Sequence, residues 1–143
     1  MIRIRWLLVV LALVAACRSA SPADPGAGLI GTTWTVDQID GHAVDLAPVT
    51  LRFDTATRVS GGASCNHYSG TLSLVGDRMR VEQGRTTRMG CAMPIMNQED
   101  RFLTALAAVV SLRRDGERLL LIDEAGRVRL ALGPWSERFS TPR

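Results

Sequence analysis

The strongest constraint on the fold is an alternation of apolar and polar residues, which runs with a period of two along most of the chain. In PVTLRFD, for example, Val49, Leu51 and Phe53 fall on one face of an extended chain, because successive strand side chains point to opposite sides. Two pairs of such segments are separated by the turn dipeptides Gly76-Asp77 and Asp115-Gly116. Glycine tolerates the positive φ that two-residue hairpin turns require, so this pattern predicts antiparallel β-hairpins.

One segment, PIMNQEDRFLTALAAVV, has a helical period instead. Its apolar residues recur at the spacing of an amphipathic helix face: Phe102, Leu103, Leu106, Val109 and Val110. Pro94 fits the first helical turn, and Glu99 and Asp100 lie in the N-terminal half, where the helix dipole favours carboxylates. We therefore predict a mainly β (α+β) fold, a small antiparallel curved sheet or partial barrel with one packed amphipathic helix.

The N-terminus carries the pattern of an export signal. Arg3 and Arg5 precede an unbroken apolar run, Trp6–Ala16, which is shorter than the about 20 residues that a membrane-spanning helix needs. We interpret residues 1–16 as a signal peptide. The run ends in VAAC, which resembles a bacterial lipobox and implies cleavage before Cys17 and acylation of that cysteine. An ordinary secretory cleavage site also has small residues here and is the alternative.

The remaining chain divides into three parts. Residues 17–28 contain the stretch RSASPADPGAG, whose small and proline residues predict a flexible tether after the acylated cysteine. Residues 29–132 have the length of one small domain, and residues 133–143 form a C-terminal tail. Arg18 is not the aspartate that usually marks retention at the inner membrane. We therefore expect a lipid-anchored protein of the cell envelope, at the outer membrane and facing the periplasm.

The charge balance excludes one class of partner. All 17 basic residues are arginine, and without Arg3 and Arg5 the chain keeps 15 arginines against 14 acidic residues. A net charge of about +1 gives no basic patch for nucleic acid. An exported domain would not meet nucleic acid either, so we expect no such partner.

The three cysteines have different expected fates. Cys17 is assigned to lipid, which leaves Cys65 and Cys91 in an oxidising compartment where disulfides persist. A bridge between them would stabilise the fold by about 3 kcal/mol in the chain-entropy model. Two alternatives are a thiolate nucleophile with His67 as its base and a zinc site of both cysteines, His67 and His42. We favour the disulfide, because cysteines that can oxidise each other do not sustain a thiolate. We expect no catalytic residue, metal or cofactor.

Two further stretches invite a ligand-binding interpretation. SGGAS contains Gly61 and Gly62, but no helix follows it to complete an anion site, so we predict a bulge or bend of the sheet. In GRTTRMGC, Arg85 and Arg88 are possible contacts for an anionic lipid or glycan. The alternative for both arginines is a solvated face or pairing with nearby acids.

Five segments in order resemble the META domain, the family of the heat-inducible lipoprotein HslJ: LIGTTWTVDQIDG, VTLRFD, RVSGGASCNHYSGTLSL, GRTTRMGC and EDRFLTAL. The resemblance covers about residues 29–132. Its most specific parts are Cys-Asn followed by Ser-Gly at 65–70 and Thr-x-Met-x-Cys at 87–91. Ser64 stands where the family usually has glycine, which speaks against a tight positive-φ turn just before Cys65.

The resemblance implies a small β-rich domain of envelope proteins, with Cys65 and Cys91 as a structural pair and Asn66 as a motif residue of unknown role. It carries over no catalytic residue, and some members are linked to heat shock, antibiotic tolerance or motility. We therefore predict a non-enzymatic, membrane-anchored envelope lipoprotein that acts through protein or envelope contacts, with stress tolerance as its setting. Its partners would be the membrane, through the lipid, and an envelope protein or ligand.

The alternative function is a small-molecule or lipid-binding module of the periplasm, which would use the interior or mouth of the sheet. One observable separates the two functions. A sheet filled by its own side chains favours the first, and a large open cavity favours the second.

Overall fold

The computed structural model describes residues 24–135. The predicted signal peptide, Cys17 and residues 136–143 lie outside this range. Between residues 24 and 135, no helix is long and apolar enough to cross a membrane. The elements in this range are β1 (Thr33–Ile39), β2 (His42–Ala43), β3 (Thr50–Thr55), β4 (Arg58–Gly62), β5 (His67–Val75), β6 (Arg78–Thr86), α1 (Met93–Ala107), β7 (Val109–Asp115), β8 (Arg118–Asp123) and β9 (Val128–Pro134).

The strands close into an eight-stranded antiparallel barrel, and the short β2 extends it beside β1. Closure depends on β1, which pairs with β3 through Thr35 and Thr50 and with β9 through Thr35 and Gly133. The mainly β class with one helix is confirmed, but the predicted curved sheet or partial barrel is corrected to a closed barrel. Closure pairs the N–H and C=O groups that two sheet edges would otherwise expose.

Both predicted hairpin turns are present. β5 and β6 meet at the pair Val75 and Arg78, and Gly76 between them has a φ of 61°. β7 and β8 meet at the pair Asp115 and Arg118, and Gly116 between them has a φ of 59°. These positive angles are the reason that the turn dipeptides were informative, since residues with a Cβ rarely adopt them.

The apolar faces of the strands fill the barrel interior. Side chains that are 0 to 1 % exposed include Val36, Leu51, Phe53, Met79, Phe102, Leu121 and Leu130. The Tyr68 ring meets the Phe102 ring edge-on, with centroids 5.3 Å apart, and its hydroxyl donates a hydrogen bond to the Thr50 carbonyl at 2.9 Å. Burial, together with the charge of Asp54, raises the pKa of Tyr68 well above its ordinary value. The phenol therefore stays neutral and hydrogen-bonded within the core.

The helix α1 covers one end of the barrel and has Pro94 in its first turn, as predicted. Its buried apolar residues are Phe102, Ala105 and Leu106. The helix ends at Ala107, whereas Val109 and Val110 belong to β7, so the prediction that places these two on the helix is wrong. Both are β-branched and suit a strand, and Val109 pairs with Asp123 of β8.

The two ends of the barrel carry different connections. β6 and β7 share a single residue pair, Arg78 and Ser111, and α1, which connects these strands, contacts β6, β9 and β1. We call the end covered by α1 the disulfide pole. It also carries the β4–β5 loop (residues 63–66) and the β6–α1 loop (residues 87–92). We call the opposite end the N-terminal pole; the β3–β4, β5–β6 and β7–β8 turns lie there.

Residues 24–31 cross the N-terminal pole. Leu29 is fully buried there, and the Gly31 N–H donates to the Phe53 carbonyl at 2.7 Å. Arg114 of β7 donates from Nε to the Pro25 carbonyl at 3.1 Å and from Nη2 to the Ala27 carbonyl at 3.0 Å. Residues 24–28, the end of the tether predicted from the sequence, therefore lie against the barrel.

The glycines of SGGAS serve a close approach of two backbones. Gly61 and Gly62 lie in β4 and pair in register with Tyr68 and His67 of β5, rather than in a bulge. A Cβ on Gly61 would lie 2.1 Å from the carbonyl oxygen of Thr50, so no larger residue fits there without backbone movement. The Gly62 N–H donates to Thr50 Oγ1 at 2.9 Å.

Candidate functional site

A disulfide joins two loops at the disulfide pole. The Cys65 and Cys91 sulfurs are 2.02 Å apart and their Cα atoms are 6.0 Å apart, a Cα separation that suits a bridge. Cys65, in the β4–β5 loop, is buried, whereas Cys91, in the β6–α1 loop, is exposed. The predicted bridge is therefore present, and it ties the rim of the barrel to the segment that leads into α1.

Next to the disulfide, α1 holds the buried carboxylate of Glu99, which is 4 % exposed, against the β4–β5 loop. Its Oε2 accepts hydrogen bonds from the backbone N–H groups of Cys65 at 3.1 Å and Asn66 at 2.7 Å. Its Oε1 accepts one from Asn66 Nδ2 at 2.8 Å. Three hydrogen bonds to one carboxylate offset the cost of removing it from water.

The side chain of Asn66 connects this carboxylate to the β6–α1 loop. Its Oδ1 accepts hydrogen bonds from Thr87 Oγ1 at 2.9 Å and from the Met89 N–H at 2.7 Å. Its Nδ2 also donates to the Met89 carbonyl at 3.4 Å. The motif asparagine therefore positions a loop. We call Cys65, Asn66, Thr87, Met89 and Glu99 the polar clamp.

A neighbouring contact explains how serine replaces glycine before Cys65. Ser64 has a φ of 90°, so the positive-φ turn that the sequence difference spoke against is present. A left-handed backbone costs a non-glycine residue about 1 kcal/mol. Gln98 Nε2 donates to Ser64 Oγ at 2.7 Å and to the Ala47 carbonyl at 2.8 Å. The hydroxyl that glycine lacks thus accepts a hydrogen bond from a buried amide, which offsets the backbone cost.

The thiolate and zinc interpretations both require free cysteines, and in the structure the two sulfurs are bonded to each other. The exposed His67 takes part through its backbone N–H, which donates to Thr87 Oγ1 at 3.0 Å. His42 lies in β2, with its Nδ1 3.0 Å from the Asp40 carbonyl oxygen. Across residues 24–135, no three His, Cys, Asp or Glu side chains are grouped as a metal site.

An open cleft of about 640 Å³ lies beside the polar clamp. Residues that line it include Asn66, Arg88, Met89, Met96, Glu99 and Leu103. Arg85 lines a different cleft, together with Arg58 and Ser69. The structure therefore separates the two arginines that the sequence offered as anion contacts, and only Arg88 lies next to the polar clamp.

A second polar cluster follows β8. Asp123 is buried and accepts hydrogen bonds from the Ala125 and Arg127 N–H groups at 3.0 Å and from Arg127 Nε at 2.9 Å. Burial alone would raise the pKa of Asp123, but these hydrogen bonds and the Arg127 charge hold it below its ordinary value. A hydrogen bond to Asp40 raises the pKa of Arg129. Arg129, which pairs with both Asp123 and Asp40, therefore links the β8–β9 turn to the β1–β2 hairpin.

Gln98 and Glu99 are the site residues to which the sequence predictions assign no role at the site, although Glu99 begins the family segment EDRFLTAL. Glu99 stands three residues before Phe102 and seven before Leu106, a spacing that places it on the apolar face of the helix. A carboxylate on a buried helix face needs partners there. That conflict between residue type and position is the signal that could have identified Glu99.

Comparison with known proteins places this arrangement in a family. Residues 27–133 match the model of the META domain, and no curated protein matches the chain. The chain is similar to an NMR structure of a protein from Burkholderia xenovorans, with 25% identity, coverage of 76% of this chain and 84% of that chain, and a TM-score of 0.59. It is also similar to a DUF4847 family protein from Bacteroides vulgatus, with 14% identity, coverage of 73% and 93%, and a TM-score of 0.57.

The family match includes the disulfide, the polar clamp and all of the strands except the last residue of β9. The likeness to the Bacteroides vulgatus protein supports the fold alone. The match to the family model covers most of the chain. The chain therefore belongs to the META domain family.

Proposed function

We propose that the protein is a non-enzymatic envelope lipoprotein, anchored through an acylated Cys17, whose META domain acts by contacting an envelope protein. The filled interior of the barrel carries this proposal. Since the domain's own side chains occupy the interior, recognition falls to the outer surface. The family resemblance supports a setting in envelope stress, and we propose the outer membrane, facing the periplasm, as the location.

The disulfide pole is the contact surface that we propose. The disulfide and the polar clamp hold its loops in one arrangement, and a pre-ordered surface loses less entropy on binding. Met89 is 52 % exposed and Met93 is 70 % exposed at this pole, beside Arg88 and the cleft. Methionine side chains adapt to partners of varied shape. This surface therefore combines a fixed backbone with adaptable apolar side chains.

The anchor is tested with Cys17→Ser. We expect the wild-type chain in the membrane fraction, with a mass that includes acyl chains on Cys17, and the variant in the soluble periplasmic fraction. Cys65→Ser is the matched control, because it removes a cysteine outside the lipobox and should leave the chain membrane-bound. A wild-type chain that is soluble and carries an unmodified Cys17 would contradict the anchor.

The contact surface is tested by photo-crosslinking in cells. A photoreactive amino acid replaces Met89 at the disulfide pole or, as a control, the exposed Ser73 on the barrel wall. We expect a discrete adduct with one envelope protein from position 89 and none from position 73. Equal adducts from both positions, or none from position 89, would count against this surface.

The cleft favours a second candidate function, a small-molecule or lipid-binding module. Its volume of about 640 Å³ lies within the range of ligand pockets, and Arg88, Asn66 and Met89 offer charge, hydrogen bonds and apolar surface. The cleft is open to solvent, whereas ligand pockets enclose most of their ligand. That openness is the reason we rank this function second.

Native mass spectrometry of the soluble Cys17→Ser variant, purified from the periplasm, separates the two functions. A surface that recognises proteins predicts the mass of the polypeptide alone. A retained small molecule, lost on Arg88→Ala and kept on Arg85→Ala, would support the binding module instead.

A further inference from the structure

We propose that the N-terminal pole of the barrel docks on the lipid bilayer that holds the anchor. This inference rests on the acylated Cys17 of the proposed function. It adds an orientation, because it identifies which end of the domain meets the lipid and which end meets other proteins.

The first argument is the reach of the chain. Seven residues, 17–23, precede Asp24, and a chain of that length spans at most about 25 Å. The chain reaches the barrel at the N-terminal pole, where Arg114 holds the Pro25 and Ala27 carbonyls. β5, with nine residues, extends about 30 Å along the barrel wall. The anchor therefore limits how far the N-terminal pole can lie from the membrane, whereas the disulfide pole lies at the other end of the barrel.

The second argument is the apolar surface around the point where the tether enters. Ile30 is 48 % exposed, Val75 is 74 % exposed and Trp135 is 43 % exposed. Ile30 lines a small cleft with Gly76, the residue that follows Val75. Trp135 directly follows β9, which pairs with the start of β1. The three residues therefore lie at the pole that residues 24–31 cross.

The chemistry of these side chains fits the boundary between headgroups and acyl chains. Valine and isoleucine gain by leaving water, and tryptophan favours the interface, where its ring is apolar and its N–H remains hydrated. The charges nearby are mixed, since Arg78 and Arg113 are accompanied by Asp77 and Asp115. The occupant is therefore a bilayer surface met through apolar contacts, without a requirement for an anionic headgroup.

Exposed apolar side chains also occur at the disulfide pole, including Met89 and Met93. Apolar exposure alone therefore does not choose between the poles. The tether identifies the membrane-facing pole, because it joins the barrel at the N-terminal pole. With that pole on the lipid, the surface around the polar clamp points into the periplasm.

The test uses the lipidated mature chain in vesicles of phosphatidylethanolamine and phosphatidylglycerol. A fraction of the lipid is brominated near the headgroup end of its acyl chains, so that it quenches a tryptophan at the interface. Trp34 is buried, and the signal of a Trp135→Phe variant is subtracted to isolate Trp135. We expect brominated lipid to quench Trp135.

Two matched variants place a carboxylate at either pole. Val75→Asp should reduce the quenching of Trp135 by at least about threefold, because it removes one apolar contact and adds a charge at the interface. Met93→Asp at the disulfide pole should leave quenching unchanged. Both variants should still float with the vesicles.

The outcomes separate this inference from the anchor. If Cys17 carries no acyl chain by mass, the anchor is overturned and the docking inference with it. If the chain is acylated and floats with vesicles, but Trp135 is not quenched or Val75→Asp has no effect, the anchor stands and docking of this pole is overturned. Circular dichroism of each variant verifies that the barrel is intact.

Discussion

The two poles of the barrel are closed by different means. At the disulfide pole, a covalent bond, a buried carboxylate and the ion pairs that follow β8 hold loops that have little regular structure. At the N-terminal pole, one buried leucine, Leu29, and hydrogen bonds to backbone carbonyls close the opening. The comparison teaches that apolar burial suffices where a single segment crosses the barrel. Several loops that meet at one point require directional bonds as well.

This contrast leads to opposite sensitivities. Directional bonds between buried polar groups are costly when one partner is removed, because the remaining groups lose their hydrogen bonds without regaining water. An apolar plug loses stability in proportion to the volume removed. We therefore expect the disulfide pole to respond to charge, redox state and pH, and the N-terminal pole to respond to side-chain size.

The largest expected effect is that of Glu99→Ala. It leaves the N–H groups of Cys65 and Asn66 and the Asn66 amide without their acceptor, and unsatisfied buried donors cost about 1 to 3 kcal/mol each. We expect the free energy of unfolding to fall by about 4 kcal/mol, measured by urea titration. Asp100→Ala, at the exposed neighbouring position of α1, should change it by less than about 0.5 kcal/mol. Equal effects would show that the polar clamp contributes little.

Loss of the disulfide is expected to rank second. The bridge spans a sequence separation of 26, and a loop of that size predicts a loss of about 3 kcal/mol on opening. The double variant Cys65→Ala, Cys91→Ala and the reduced wild-type chain should unfold at similar urea concentrations. A reduced chain as stable as the oxidised one would show that the polar clamp alone secures this pole.

Leu29→Ala probes the other pole. Deletion of a fully buried leucine side chain should lower the free energy of unfolding by about 2 to 3 kcal/mol. Ile30→Ala is the control, because Ile30 is 48 % exposed and should cost less than about 1 kcal/mol. Since Leu29 and Glu99 lie at opposite ends of the barrel, the effects of Leu29→Ala and Glu99→Ala should add within about 0.5 kcal/mol. Strong non-additivity would contradict independent closure.

The smallest effect is a dependence on acid. Because the pKa of Asp123 is lowered in the folded state, its stabilisation is fully present above its unfolded pKa of about 3.9 and is lost as pH falls through the folded value. The difference in unfolding free energy between wild type and Asp123→Asn should therefore be constant near neutral pH and narrow below about pH 4. The corresponding difference for Leu29→Ala should not narrow. A difference for Asp123→Asn that does not change with pH would show that the charge of Asp123 does not stabilise the fold.

The parts of the fold that local patterns specify are those that the sequence predicted. Alternation located the long strands, Gly76 and Gly116 located their turns, and the cysteine count identified the bridge. Barrel closure escaped prediction because it depends on β1 and β9, which are distant in sequence and show the same alternation whether paired or not. Val109 and Val110 were assigned to the helix instead of β7, because an apolar pair at the end of a helix fits both the helical period and the strand period of two.

The site was predicted less completely than the fold. Motif resemblance marked Asn66 without a role, since its role depends on partners contributed by α1 and by the β6–α1 loop. The sequence pattern assigns Glu99 only to a position that the helix dipole favours, although its spacing from Phe102 places it on the buried face. Ser64 spoke against a tight positive-φ turn before Cys65, which the structure nevertheless contains. The expectation failed because the compensating partner, Gln98, lies far away in the sequence.

The attachment of residues 24–31 also determines how the domain would bear a mechanical load. A pull applied through the proposed anchor would reach Asp24 first, then the two hydrogen bonds of Arg114 and the burial of Leu29. These contacts give way one after another as the segment peels from the barrel, whereas strand pairs sheared along their length break together. Tension between the membrane and a partner at the disulfide pole would therefore detach the N-terminal segment first, before the strands or the disulfide at the far end of the barrel are loaded to failure.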